Sequence, residues 1–389
     1  MKTVLFNTHD LVLLFTLYQC ILFGLCLLTF KKGNKLSHLL LALFLFSYAA
    51  IPLDTLINYG EAFRSYALEV SVNLFYLFGY AYWLEAVFLL FYVRSLIYRD
   101  FRFKPQDLLF LLPLVLYFFY HLDTWYWLSD NEKMLQLQQN YAGNEAISQR
   151  FIGLGRECFR LFCAILCFVE LRRYQSRLKD NFANLESVDL NWLAILVIGF
   201  LFIRADAILV SLALFSSFEF NHHIDYELLG LISNYTVLIL VSVLIFFSLR
   251  FQTGLSGIWQ QQRTVDSGAK YEKQQPDESS IAQIKAYMQQ HKPFLNPLLT
   301  LDSLASQLQL SPRVLSQIIN RHFEQNFFEF INQYRISESQ RLLSDAALKH
   351  TTIIEIMDRS GFNSKATFNT LFKKRLGKTP SQYRKQQLQ

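Results

Sequence analysis

Residues 299–320 read LTLDSLASQLQLSPRVLSQIIN. Leu301, Leu304, Ala305 and Leu308 recur at the three-and-four spacing of one helix face, with Thr300 or Asp302 placed to cap its start. The pattern breaks at Leu310. Ser311 followed by Pro312 then reads as a cap and a first helical position, and Val314, Leu315, Ile318 and Ile319 form the apolar stripe of a second helix. Two short helices joined by a tight turn make a helix-turn-helix.

The same grammar recurs toward the C-terminus. Thr352, Ile353, Ile354, Ile356 and Met357 predict a helix, Gly361 supplies the backbone freedom to end it, and Asn363 or Ser364 caps a following helix whose stripe is Phe368, Leu371 and Phe372. The second helices of the two units begin 53 residues apart, at Ser311 and Ser364. Between them an amphipathic stretch from about Phe327 to Leu343, with Phe328, Ile331, Tyr334 and Leu342 inward, predicts a rigid strut. On the N-terminal side, Ile281, Ile284 and Met288 mark a first helix ending at His291 or Lys292. Residues 251–280, rich in Gln and Ser without an apolar period, read as a linker.

Before residue 251 the chain changes character. The 389 residues are 52% hydrophobic with a mean hydropathy of +0.20, which excludes a disordered or collagen-like chain. From Lys270 onward there are 17 Lys and Arg against 10 Asp and Glu, whereas residues 1–269 hold 20 against 21. A near-neutral apolar half thus precedes a basic polar one. Runs long enough to cross about 30 Å of hydrocarbon lie near Leu11–Phe30, Leu36–Ile57, Ser71–Val93, Leu108–Leu128, Phe151–Glu170, Asn191–Phe215 and Leu229–Leu249, seven spans in all. The first lacks a small-residue cleavage site at its end and is expected to remain as a span.

Orientation follows from the loops. The first, third and fifth carry Lys31, Lys32, Lys35, Arg94, Arg99, Arg102, Lys104, Arg172, Arg173, Arg177 and Lys179; the other side offers Lys2, Arg64, Lys133 and Arg150. The N-terminus is therefore expected outside and residues 251–389 in the cytoplasm. Outer loops are short apart from Ser129–Arg150, so any signal must be met by the helical bundle or that loop.

Charges at membrane depth face a bundle interior or a wet cavity. Glu85, Arg156, Arg160, Arg204 and Asp206 are the candidates, and they either hold a ligand or pair internally with one another and with Glu157. Arg156 and Arg160, one helical turn apart, share a face that suits a carboxylate or phosphate. His222 and His223 read as interfacial polar residues. The five cysteines, Cys20, Cys26, Cys158, Cys163 and Cys167, fall in apolar stretches with no metal-ligand spacing, so neither a disulfide framework nor a metal site is expected, and no cofactor is called for.

The run LTLDSLASQLQLSPRVLSQIIN, then NFFEFINQYRISESQRLL, then TIIEIMDRSGFNSKATFNTLFKKRLGKTPSQYR resembles the DNA-binding domain of AraC/XylS-type bacterial transcription regulators, over roughly Ile284 to Arg384. The whole chain is similar to a membrane-anchored subgroup of that family. Met357 departs from the pattern, which usually has a small residue there. The resemblance implies that each second helix enters a major groove, the two reading successive grooves about 34 Å apart on double-stranded DNA. On matching positions it implies base-edge contacts from Arg313, Ser316, Gln317 and Asn320, and from Lys365, Ala366, Asn369 and Thr370. Arg321, Lys373, Lys374, Arg375, Lys378 and Arg384 are read as phosphate contacts.

The expected fold is all-α: a seven-helix transmembrane bundle over residues 1–250, a linker over 251–280, and a soluble domain with two helix-turn-helix units over 281–389. The expected function is a one-component sensor and transcription regulator of the bacterial inner membrane, without enzymatic activity. Its expected partners are double-stranded DNA, membrane lipid, an unidentified small-molecule or envelope signal, and a second copy in a homodimer. The competing readings are a membrane transporter or enzyme with a cytoplasmic regulatory tail, and a C-terminal domain that docks another protein. No acid/base pair, activated nucleophile or broken-helix pair in the spans favours the former.

Overall fold

The computed structural model describes residues 7–29, 34–98, 101–141, 147–185, 191–220, 226–251 and 278–388. The expected linker, apart from its ends, and His222 and His223 lie outside them. The described residues are helical, with one isolated β-bridge between Phe182 and Thr300. The chain divides into two compact units: residues 1–172 with 190–256, and residues 257–389 with 173–189.

The first unit holds α1 (Thr8–Thr29), α2 (Lys35–Tyr59), α3 (Glu61–Val70), α4 (Ala81–Ile97), α5 (Leu112–His121), α6 (Asp130–Tyr141), most of α7 (Ile147–Asn181), α8 (Asn191–Phe220) and α9 (Tyr226–Phe251). α2 packs on both α1 and α4, and α9 on α1 and α8. Their buried residues are largely apolar on every side of the core, as hydrophobic packing requires.

Among the described residues five helical stretches are long and apolar enough to cross a membrane: Thr8–Thr29, Lys35–Tyr59, Val72–Ile97, Pro105–Tyr126 and Trp192–Ala213. A shorter apolar stretch, Asn234–Phe247, lies in α9 where a further span was expected. The run at Phe151–Glu170 is the middle of the 35-residue α7 and is interrupted by Arg156, Glu157 and Arg160. Two of the apolar stretches are not uniform helices. Residues 71–80 pass through 3-10 turns with Tyr76 at φ 62°, so α4 begins only at Ala81. Leu122–Tyr126 forms a π-helical turn after α5. The two irregular segments meet through rings, Tyr76 against Trp125 at 4.8 Å and Tyr80 bonded to Tyr126 through their hydroxyls at 3.1 Å.

The second unit holds α10 (Glu278–His291), α11 (Leu301–Leu308), α12 (Pro312–His322), α13 (Phe327–Ser344), α14 (Ile353–Arg359), α15 (Lys365–Leu376) and α16 (Pro380–Gln387). Local chemistry sets nearly every boundary. Side chains of Thr300, Ser311, Asn326, Thr352, Ser364 and Thr379 each accept from a backbone N–H in the first turn of the following helix. Gln309 ends α11 in the left-handed conformation, and Gly377 ends α15 the same way.

Two apolar clusters fill this unit. One gathers Ile284, Met288, Leu304, Leu315, Ile319 and Phe330; the other gathers Ile336, Leu343, Ile356, Phe362, Phe368 and Phe372. Met357 is buried in the second cluster. α13 serves both, giving Phe327, Phe330 and Ile331 to the first and Ile336, Leu342 and Leu343 to the second. Wedged between two cores, it buries more than one stripe. Phe327 and Phe330 are accordingly the deeply buried aromatics, while Phe328 and Tyr334 are half-buried.

Candidate nucleic-acid interface and the buried charge cluster

α11 with α12, and α14 with α15, repeat one arrangement: a capped helix, a sharp turn and a second helix carrying polar residues outward. The first turn uses Gln309 at φ 58°. The second uses Gly361 at φ 86°, where an added Cβ would collide with the Phe294 carbonyl oxygen and lie 2.9 Å from Leu295 Cα. This glycine thus meets two demands, a left-handed backbone and close approach to the loop before α11.

Burial of one stripe on each second helix fixes what the opposite face presents. In α12, Val314, Leu315, Ile318 and Ile319 point inward, leaving Arg313 and Asn320 exposed and Ser316 and Gln317 half-buried. Asn320 donates to the Ser316 hydroxyl at 3.3 Å. In α15, Phe368 and Phe372 are buried, leaving Lys365, Ala366 and Thr370 exposed and Asn369 half-buried. Arg and Lys beside Asn and Gln on one accessible face supply the donors and acceptors that base edges in a major groove require.

The basic residues expected at phosphates divide into two groups. Arg321, Lys373, Lys374 and Arg375 are exposed. Arg384 is half-buried and donates to the Thr351 carbonyl at 2.7 Å, and Lys378 donates to Gln386. Arg384 thereby joins α16 to the turn before α14. Arg335, in the Tyr334–Arg335–Ile336 stretch that carries part of the family resemblance but to which no role was assigned, is 1% exposed on α13. It donates to the carbonyls of Phe294, Asn296 and Ala183 at 2.8, 2.9 and 3.2 Å, and its guanidinium lies 5.8 Å from the centre of the Phe362 ring. Burial pulls its pKa down to about 10.

In the first unit the charged residues expected at membrane depth are brought together except one. Arg160 Nε donates to Glu85 at 2.6 Å, and its Nη1 reaches both oxygens of Glu157 at 2.9 Å. Arg204 lies 3.8 Å from Glu85 and 3.7 Å from Glu157, and donates to the Tyr48 hydroxyl at 3.2 Å. Arg156 donates to Glu157 at 3.1 Å and stacks over Tyr82, 4.0 Å from the ring centre. Asp54 accepts from the side-chain amide of Asn58 at 3.3 Å. Three guanidiniums therefore share two carboxylates, Glu85 and Glu157, and this pairing offsets the cost of burying the charges. Asp206 is half-buried, and among the described residues no ion pair includes it. Glu157, spaced one residue from Arg156 and three from Arg160, is the hub that ties α7 to α8.

A second tie lies further along α7. Glu170 accepts from Arg94 at 3.4 Å and from the Tyr98 hydroxyl at 2.7 Å, and Arg94 also pairs with Asp107 at 3.2 Å. Among the described residues no group of three or more metal-ligating side chains occurs.

Residues 304–386 match the family model described as a helix-turn-helix domain. The chain is also similar to the Msm operon regulatory protein of Streptococcus mutans, 33% identical over 113 residues, which are 28% of this chain and 40% of that protein. It therefore spans well under half of that relative's length. No solved structure matches the chain. The family match covers α12, α13, α14 and α15, and supports a DNA-binding helix-turn-helix domain in the second unit.

Proposed function

We propose that the chain is a membrane-embedded one-component sensor and sequence-specific transcription regulator of the bacterial inner membrane. α11–α12 and α14–α15 act as two helix-turn-helix units, and the apolar helices of the first unit form the membrane-spanning half. The observation that carries this reading is the pair of outward polar faces on α12 and α15, held on one strut, α13, inside the region that matches a helix-turn-helix family. The regulatory role named for the Streptococcus relative supports it.

In this reading Arg313, Ser316, Gln317 and Asn320 meet one stretch of base edges and Lys365, Ala366, Asn369 and Thr370 the next. Arg321, Lys373, Lys374 and Arg375 neutralise phosphates and set the register. Arg384 and Lys378 spend donors within the protein and contribute less. A signal entering the first unit shifts its helices between two packings, and the second unit reads that shift out as DNA occupancy.

The test is to incubate the full chain in lipid nanodiscs with fragmented genomic DNA at moderate salt and footprint the retained fragments. Protection over two adjacent major grooves supports the reading; retention of unrelated fragments with no footprint overturns it. On the selected site, Arg313→Ala and Lys365→Ala each weaken binding by about 1 to 3 kcal/mol and relax preference at their own base pairs. Lys374→Ala instead weakens binding to all sequences alike and lowers the slope of log affinity against log salt by about one.

A further inference from the structure

The ion pairs of the first unit do not use its three guanidiniums equally. Arg160 commits Nε to Glu85 and Nη1 to Glu157, while Arg204 lies beside the same two carboxylates and donates to Tyr48. Arg156 gives only its Nε, to Glu157 at 3.1 Å, and among the described residues neither of its Nη atoms meets an acceptor. Its side chain is 28% exposed, against 5% for Arg160 and 6% for Arg204, so it alone of the three can be reached. With two carboxylates shared among three guanidiniums, one positive charge is left over. Asp54, a further carboxylate on α2, accepts from Asn58 and forms no ion pair with any of the three.

Around this uncommitted edge the side chains are aromatic. The Arg156 guanidinium lies over the Tyr82 ring, 4.0 Å from its centre, so one face and the Nε side are taken and the Nη edge remains. Trp83 follows Tyr82 on α4, and its ring lies 5.8 Å from those of both Tyr117 and Phe159. Phe159 stands on the same face of α7 as Arg156, one turn further on. Trp83 is 7% exposed, and its Nε1 is buried with no acceptor among the described residues. A buried indole N–H normally has a partner, and leaving it without one is unfavourable.

A guanidinium edge held in one plane is a two-pronged donor that matches a carboxylate. A single negative charge cancels the excess, whereas a phosphate monoester carries about two. The rings suit a flat apolar body through edge or offset contacts, and the indole N–H supplies a further donor. A carboxylate on the Nη edge competes with Glu157 for the same guanidinium, which ties occupancy to the hub joining α7 to α8.

We propose that Arg156, with Trp83, Tyr117 and Phe159, forms a binding site for an aromatic monocarboxylate, and that this is the class of signal the first unit detects. The inference deepens the proposed function and rests on it only where the ligand is called a signal.

The experiment uses the full chain, labelled with 5-fluorotryptophan, in phosphatidylcholine nanodiscs, with Trp83→Phe identifying the Trp83 fluorine resonance. Phenylacetate and indole-3-acetate, with phenylacetamide as the neutral counterpart, are each titrated to about 10 mM. At least one acid moves the Trp83 resonance saturably with a Kd of about 1 mM or tighter, and phenylacetamide binds about tenfold more weakly or not at all. Arg156→Gln weakens the acid about tenfold or more, and it folds because two guanidiniums then match two carboxylates. If its unfolding midpoint falls, Arg156→Lys is read instead; it keeps the charge, lacks the fork, and weakens the acid about threefold or more. No response to either acid, equal response to acid and amide, or full affinity in the arginine variant overturns the site. A Trp83 resonance that moves when phosphatidylglycerol replaces phosphatidylcholine, and then ignores the acids, assigns the edge to a lipid headgroup and also overturns it. The bound acid shifts affinity for the selected operator about fivefold. Unchanged operator affinity overturns the role as signal, and failure of the chain to bind any operator counts against the proposed function; the fluorine titration decides the site in either case.

Discussion

Glu85→Ala lowers the stability of the first unit by about 3 to 5 kcal/mol. Glu85 is 1% exposed and accepts the 2.6 Å bond from Arg160, with Arg204 at 3.8 Å. Its removal leaves three guanidiniums against the single carboxylate of Glu157, so the unfavourable desolvation of Arg160 is no longer fully offset. Four of the five tryptophans, Trp83, Trp125, Trp127 and Trp192, lie in the first unit, so unfolding in detergent followed by tryptophan fluorescence reports on it. Asp206→Asn in the same assay changes stability by no more than about 0.5 kcal/mol, because no ion pair of the described residues depends on it. Equal losses from both substitutions would mean that the cluster is not held together by the pairs seen here.

Gly361→Ala destabilises the second unit by about 3 kcal/mol or more. The left-handed backbone at φ 86° alone disfavours any L side chain by about 1 to 2 kcal/mol. The new methyl also strikes the Phe294 carbonyl, which is the acceptor for Arg335 Nε at 2.8 Å. Displacing that carbonyl disturbs the buried arginine as well as the turn. Hydrogen exchange of the full chain reads the outcome, with protection lost over α14 and α15 and retained in the first unit. Gly377→Ala, at φ 71° with nothing within 4 Å of the added Cβ, carries only the conformational penalty and serves as the control. If the two variants lost protection equally, the close approach at Gly361 would have no energetic weight.

The second unit was legible because its decisive interactions are short in sequence. A cap and the amide it satisfies are three residues apart, as at Thr300 with Ser303, Ser311 with Val314 and Thr352 with Glu355. An apolar stripe repeats every three or four residues, so the sequence alone located both helix pairs, the strut between them and the outward faces bearing Arg313 and Lys365. The apolar runs of the first half were equally plain, although their count depends on tertiary context. α7 carries Arg156, Glu157 and Arg160 within its run, and Val72–Ile97 contains a break that composition does not reveal.

What only the tertiary structure decided are the partners separated by long stretches of chain. The sequence left open which carboxylate meets which guanidinium; Arg160 meets Glu85 across 75 residues, and Arg204 meets Tyr48 across 156. Arg335 stood in the Tyr334–Arg335–Ile336 stretch of the family resemblance with no partner assigned, and nothing in the sequence marked Ala183. Burial of the first against the carbonyl of the second spans 152 residues. Local hydrogen bonds and helical period are written into neighbouring residues, whereas a buried ion or a docked backbone segment is stable only where packing has already excluded water.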